Sequence, residues 1–415
     1  MLERLHGLFS RKRKGSDDLT VEAVYPDALS APLADASGST RGAELDWAVV
    51  TLVCVLLGIG TVMVYSASIS LADSPKYGTT PYYFLLKHLM ALTASLIAAL
   101  LVYRVPMRRW RQFAWPLGVV ALIGLAAVLI PGIGVSVNGS RRWIRAPFMN
   151  LQVSELAKFS TVICVSYFTV RRQDYMHSFR KGFLPLALPL AAAAMLLMKQ
   201  PDLGAAIVVM LIAIGILFLG GLAMRILLTL IGAVVLMVAA MIFWTPWRLG
   251  RFMAYLDPWA EENVLGKAYQ LSHSLIAFGR GEIFGAGLGA SVEKLNYLPE
   301  AHTDFILAVV GEELGFAGVV IILFLYYRLI RSAFEIGRIA IKMDNIFSGL
   351  VAQGVGVWIG VQVCINGAVA MGLFPTKGLT LPLMSYGGSA LMATLCGIAL
   401  LLRVDHENRV QMHGG

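Results

Sequence analysis

The chain has 415 residues, 58% hydrophobic and 14% charged; a soluble domain carries about a quarter charged residues, so a water-soluble enzyme is excluded. Its 34 Lys and Arg against 25 Asp and Glu leave a formal charge of +9, but no basic helix with interleaved aromatics stands outside the apolar runs, and the surplus does not point to nucleic acid. Cys54, Cys164, Cys364 and Cys396 all lie in apolar runs without a CxxC spacing, which makes them small packing residues rather than metal ligands or a disulfide.

Residues 1–46 hold no apolar core of signal-peptide type, so the first span is expected to be the internal signal. Ser16–Glu44, rich in Ala, Ser, Asp and Pro, is predicted to be disordered. The cluster Arg11, Lys12, Arg13 and Lys14 reads as a topology anchor or a contact with anionic lipid. Ten candidate membrane spans follow, at 47–65, 84–103, 114–130, 153–170, 183–198, 203–219, 224–244, 305–327, 348–371 and 381–402. Lys and Arg alternate by side: Arg104 to Arg111, Arg171 to Lys181, Arg225, Arg328 to Lys342, and Arg403 with Arg409 all fall inside if both termini do. The expectation is an all-α polytopic membrane protein of about ten transmembrane helices, with cytoplasmic termini. Its large extracytoplasmic loop covers 245–303, its membrane domain 47–403, and a short cytoplasmic tail 404–415.

The outer loop after the third span breaks the charge rule. Asn138, Gly139 and Ser140 lead into Arg141, Arg142, Trp143 and Arg145. Arginine on the wrong side either snorkels to lipid headgroups or holds an anion, for which its planar fork suits phosphate. Glu155 and Lys158 open the fourth span, i,i+3 on one face. Charges inside a span are costly, about 2.5–3.5 kcal/mol each at the centre, which favours a functional role over a paired clasp. In the 245–303 loop, Tyr269–Phe278 has helical character and Gly279–Gly289 is glycine-rich without Walker or GxGxxG context, so no nucleotide loop is read there. His273 and His302 are too isolated to make a metal site. Gln362 and Asn366, i,i+4 in the ninth span, suit interhelical hydrogen bonds, while Lys377 adds a cation on the outer side. Pro382 and the Gly387–Gly388 pair suggest a broken start to the last helix.

The segment Leu298–Phe305, LPEAHTDF, gathers Glu300, His302, Thr303 and Asp304 at the mouth of the eighth span. A carboxylate there can meet a polar substrate. It could equally cap the helix. Neighbouring cations favour its ionised form and burial opposes it, which leaves the sign of its pKa shift open.

Gln200–Gly204 (QPDLG), Ala277–Gly289 (AFGRGEIFGAGLG), Tyr297–Ile306 (YLPEAHTDFI), Gly311–Gly315 (GEELG) and Pro375–Ser389 (PTKGLTLPLMSYGGS) stand in this order along the chain. Together they resemble the SEDS family, the shape, elongation, division and sporulation proteins. The resemblance runs from about Asp46 to Arg403 and is nearer to the division type than to the elongation type. It implies ten helices, peptidoglycan synthesis from lipid II in the inner membrane at the division septum, and partnership with a class B penicillin-binding protein and other division proteins. The family's Arg-x-Gln-Pro-Ser-Glu run reads Asn150 to Glu155 here, without the arginine and proline, which puts the local helix start in question.

The residues fit that implication. Lipid II leaves as polyprenyl pyrophosphate, which needs neutralised charge more than protonation, whereas the acceptor hydroxyl needs a base. Asp304 is assigned as base, with Arg142, Lys158, Lys377 and Ser385 as substrate contacts and Glu155 orienting Lys158. No resident cofactor is expected; a divalent cation such as Mg is left open. The alternatives are a lipid II flippase or transporter and a non-catalytic division scaffold. A transporter places its ionisable residues near the midplane between repeated halves, whereas here they gather at the outer ends. A scaffold would tolerate loss of Asp304.

Overall fold

The computed structural model describes residues 45–72, 79–137, 140–145, 150–176 and 178–413. The Arg11–Lys14 cluster, the Ser16–Glu44 stretch, Asn138 and Gly139 lie outside them. The helices are α1 (Trp47–Ala72), α2 (Tyr83–Arg104), α3 (Met107–Ala127), α4 (Val153–Arg171), α5 (Leu184–Lys199), α6 (Leu203–Leu219), α7 (Met224–Phe243), α8 (Pro246–Leu256), α9 (Glu261–Val264), α10 (Tyr269–Gly281), α11 (Ile306–Lys342), α12 (Ile346–Ala370) and α13 (Gly388–His413). Among the described residues nine helices are long and apolar enough to cross a membrane, and α6, with 17 residues, is a shorter apolar tenth. The chain is a multi-pass membrane protein.

The helices sort into a centre and a rim. Of the apolar stretch of α12, 78% is buried, and of α4, 72%, against 11% of that of α7. α12 packs on α11, α4, α6 and α13, while α2, α3 and α7 turn large apolar side chains such as Leu100, Ile123 and Leu236 outward, as lipid-facing helices do.

Several boundaries differ from the hydropathy reading: α1 runs on to Ala72, seven residues past the expected 65, and α3 begins at Met107, seven before the expected 114. α11 continues to Lys342, past the apolar run, because its basic end is a good helix former once it leaves the hydrocarbon. α13 starts at Gly388, seven residues after the expected 381, since Pro382 and its neighbours form a turn instead. It then runs through 404–413, the stretch expected as a tail. There Arg409 pairs with Asp405 at 2.7 Å and Asn408 donates to the Ile336 carbonyl at 3.1 Å.

The all-α expectation also misses a small antiparallel sheet between α3 and α4, in the order β1 (Gly134–Val137), β2 (Ser140–Arg145), β3 (Asn150–Gln152). An irregular loop at the membrane surface needs partners for its own backbone, and pairing with itself provides them. The missing family proline does not delay α4. Ser389 Oγ bridges the Gln152 amide and the Asn150 carbonyl, each at 2.9 Å, and the helix begins at Val153.

α11 is broken near its start. Gly315 has φ +68°, and the glycine-rich loop after α10 inserts its backbone at that point. Ala286 and Gly287 amides donate to the Glu312 and Glu313 carbonyls (2.9 and 3.0 Å). Phe316 and Ala317 amides donate to the Glu282 and Ile283 carbonyls (2.9 and 3.0 Å). A methyl on Gly315 would lie 2.4 Å from the Gly285 nitrogen, so only glycine permits the junction. Buried acids fasten the same region. Glu313 pairs with Lys294 at 2.6 Å and accepts from Ser66 of α1 at 2.7 Å, and Glu312 accepts the Val292 amide at 3.0 Å.

Candidate active site

Asp304 sits on a tight turn made by Glu300, whose φ is +57°. The Glu300 carbonyl accepts the amides of Thr303, Asp304 and Phe305 at 3.1, 3.1 and 3.2 Å. α11 then starts at Ile306 with Phe305 as its N-cap and no side-chain capping bond. The capping role for Asp304 is therefore overturned: the turn closes the helix with backbone groups alone and leaves the carboxylate available.

A polar ladder on α12 brings the opposite wall into place. Asn366 Nδ2 donates to the Asp304 carbonyl at 2.9 Å and to the Leu379 carbonyl at 2.6 Å, and Gln362 Nε2 donates to the Thr380 carbonyl at 2.9 Å. The loop carrying Lys377 is thus tied to Asp304 through one buried side chain. The approach is close enough that a methyl on Gly378 would lie 2.9 Å from Asp304 Oδ2.

Arg142, on β2, reaches the α5–α6 connection. Its Nε donates to the Gln200 carbonyl at 3.2 Å and its Nη2 to the Pro201 carbonyl at 2.7 Å. Asp202 in that connection caps α6 by accepting the Ala205 amide at 3.1 Å, while its other oxygen is buried without a partner. α8 supplies Arg248 and Arg251, both over the Trp247 ring (5.1 and 5.5 Å).

The charges act on one another. Burial, then the Glu300 carboxylate, push Asp304 up to about 7, with Arg142 opposing and Asp202 assisting. Burial also lowers Lys377 to about 8, helped by Arg248, Arg251 and Arg142 and opposed by Asp202. The sign left open in the sequence is decided by desolvation. The structure brings Asp304, Arg142 and Lys377 into one electrostatic cluster and adds Arg248, Arg251 and Asp202, which sequence reasoning missed. The arginines are spaced i,i+3 in Trp247–Arg251, and Asp202 lies inside QPDLG; both signals were present.

The other candidates are engaged within the protein. Lys158 is fully buried, paired with Glu155 at 2.6 Å and 3.2 Å from Gln362 Oε1, which also accepts from Trp358 Nε1 at 2.9 Å. Ser385 Oγ accepts the Leu381 amide at 2.8 Å and closes the turn before α13. Glu155 and Lys158 thus reach the Thr380 carbonyl through Gln362, and Ser385 closes the turn beside it. His302 lies between Phe84 and Tyr386, each 5.4 Å away by ring centroid, and His273 pairs with Glu293 at 2.6 Å. Among the described residues no three His, Cys, Asp or Glu side chains converge as metal ligands.

This arrangement has relatives. A protein of Burkholderia thailandensis named "Probable peptidoglycan glycosyltransferase FtsW" is 53% identical over 377 residues, covering 91% of this chain and 82% of that protein. One of the same name from Polynucleobacter necessarius subsp. necessarius is 51% identical, covering 91% and 89%. Among solved structures, a chain of a peptidoglycan synthase complex that coordinates polymerization and crosslinking superposes with a TM-score of 0.69 at 31% identity, covering 88% of this chain and 98% of that one. The rod shape determining protein RodA of Thermus thermophilus superposes with a TM-score of 0.62 at 30% identity, covering 87% and 96%. The profile of the FtsW, RodA and SpoVE family, described as cell cycle protein, matches residues 46–410, and the chain belongs to that family.

Proposed function

We propose that the chain is a peptidoglycan glycosyltransferase of the division type, polymerising lipid II into glycan strands. The observation that carries this reading is a desolvated carboxylate, Asp304, that makes no capping bond and lies within reach of Arg142, which with Arg248 and Arg251 also acts on Lys377. Asp304 takes the proton of the acceptor sugar hydroxyl. The freed oxygen attacks the anomeric carbon of the donor, and the bond from that carbon to the pyrophosphate oxygen breaks with its electron pair. Arg142, Lys377, Arg248 and Arg251 neutralise the departing polyprenyl pyrophosphate, a task that preorganised cations perform without any proton donor. The names of the relatives support the substrate class, and the likeness to a synthase complex supports a penicillin-binding transpeptidase as partner. The site lies on the extracytoplasmic side of the cytoplasmic membrane, at the division septum, with both termini inside. Purified protein supplied with labelled lipid II, with and without the transpeptidase, should yield glycan chains; none in either mixture refutes the reading.

Two further results are expected. Gly378→Ala should push the Asp304 carboxylate out of register and lower polymerisation at least tenfold while the protein accumulates normally, since misplacement of a reacting group by about 1 Å costs on the order of 10²-fold. Wild-type rates would mean that the loop yields freely. For topology, single cysteines at positions 15 and 261 in a cysteine-free background should differ toward an impermeant thiol reagent on intact cells, with only position 261 labelled. The reverse pattern places Asp304 on the wrong side for polymerisation.

A further inference from the structure

A groove of about 650 Å³ runs along α5 between α6 and α7. Its lining on α5 extends from just before the helix, at Phe183, to Lys199, about 24 Å at the 1.5 Å rise of a helix. Five methionines, Met195, Met198, Met210, Met237 and Met241, form much of the wall, and no charged side chain lines it before Lys199 at the end shared with Trp244. Arg248, one turn beyond that end, is 7% exposed. Its Nη1 lies 3.5 Å from the sulfur of Met241, a groove residue, and its Nε is buried without a partner. The same guanidinium lies within electrostatic reach of Lys377. The apolar groove therefore opens at the cationic end of the active site.

We propose that this groove holds the polyprenyl chain of the lipid-linked substrate, with Arg248 at its mouth taking the pyrophosphate. The inference rests on the polymerase reading and adds where the lipid lies. A methyl-branched chain has an irregular outline, and flexible, polarizable methionine side chains suit such a surface better than branched ones. At the ~30 Å³ a water molecule occupies in the liquid, the volume admits about 20 non-hydrogen atoms, the first few isoprenoid units. The rest of the chain remains in the bilayer. A buried guanidinium with an unused donor, beside an apolar slot, matches an anion carrying a long tail.

The test uses the full chain in phosphatidylglycerol-containing nanodiscs, with undecaprenyl phosphate and geranyl phosphate as probes and native mass spectrometry as readout. Undecaprenyl phosphate should be retained over excess phosphatidylglycerol, and geranyl phosphate much less. Ala194→Trp, which fills the groove, and Arg248→Gln, which removes the mouth cation, should each cut retention at least tenfold. Ala240→Leu serves as a milder second variant, and thermal melts confirm folding of all three. With lipid II substrates, the preference in kcat/KM for the undecaprenyl over the geranyl form should collapse in Ala194→Trp. Equal retention by wild type and variants, or free exchange with phosphatidylglycerol, overturns the proposal and leaves the groove as a seat for bulk lipid. Retention needs no turnover, so it stays readable even if no glycan forms and the polymerase reading fails.

Discussion

Asp304→Asn is expected to lose glycan synthesis by at least ~10²-fold, the contribution of a positioned general base, and to be the more stable protein at neutral and alkaline pH. Asparagine keeps the shape and the Glu300 turn but cannot take a proton. The stability gain follows from the raised pKa. The unfolded aspartate ionises near 3.8 and the folded one near 7, so the fold favours the protonated acid. That advantage is complete below about 3.8, declines as pH rises, and is gone above about 7, where the folded chain carries a desolvated anion. At ~1.4 kcal/mol per unit a dry site would give about 4 kcal/mol; partial exposure of the side chain reduces this to on the order of 2 kcal/mol. Asparagine escapes the cost. Thermal melts in detergent should place the variant above wild type at about pH 8 and level with it near pH 4. If the variant polymerises lipid II at the wild-type rate, Asp304 is not the base, and Glu300 becomes the candidate.

A narrow pH profile is the second large effect. The base must be ionised, with a pKa of about 7, and Lys377 protonated, with a pKa of about 8. The wild-type kcat/KM should climb through the first value and fall beyond the second, with a loss of about tenfold one unit above it. Lys377→Arg carries a charge that does not titrate in this range, so its rate at about pH 9 relative to about pH 7.5 should hold steady. Lys377→Ala and Arg142→Ala should each lose on the order of 10²-fold or more at all pH values, as removal of a preorganised charge does, while accumulating in the membrane. Near-normal rates for both alanine variants at limiting lipid II would return these side chains to contacts with lipid headgroups. An unchanged alkaline limb in Lys377→Arg would assign that limb to another group.

Much of this site was legible in the sequence because charge in an apolar chain is conspicuous. Asp304, Arg142, Lys158 and Lys377 each stand out against hydrocarbon. Hydropathy locates a residue along the membrane normal but not around a helix axis, and that limit produced the errors. Lys158 was visible as a costly charge, but its direction, inward to Gln362, depends on how α4 packs on α12. Arg248 and Arg251 lie well over a hundred positions from Lys377 in the chain, and no local pattern joins them. β2 is an arginine-rich strand with no alternating apolar face, so the sheet had no periodic signal. The Gln362–Asn366 pair was read as bonding between helices; only the Lys158 bond to Gln362 does so, while both amides donate to carbonyls of the turn and loop residues Asp304, Leu379 and Thr380.

The junction at Gly315 bears on how the chain is made. At the break α11 trades two helical bonds, Phe316 to Glu312 and Ala317 to Glu313, for four bonds with residues made about thirty positions earlier. The kinked form therefore requires the glycine-rich loop to dock against Glu312 to Ala317. Until it docks, the carbonyls of Glu312 and Glu313 can take the amides of Phe316 and Ala317, their partners four residues on in an unbroken helical turn. Assembly thus includes a late exchange, in which docking of the loop opens one helical turn and replaces its bonds with its own. A substitution such as Gly315→Ala should first show itself as failed biogenesis, with the chain degraded before any question of catalysis arises.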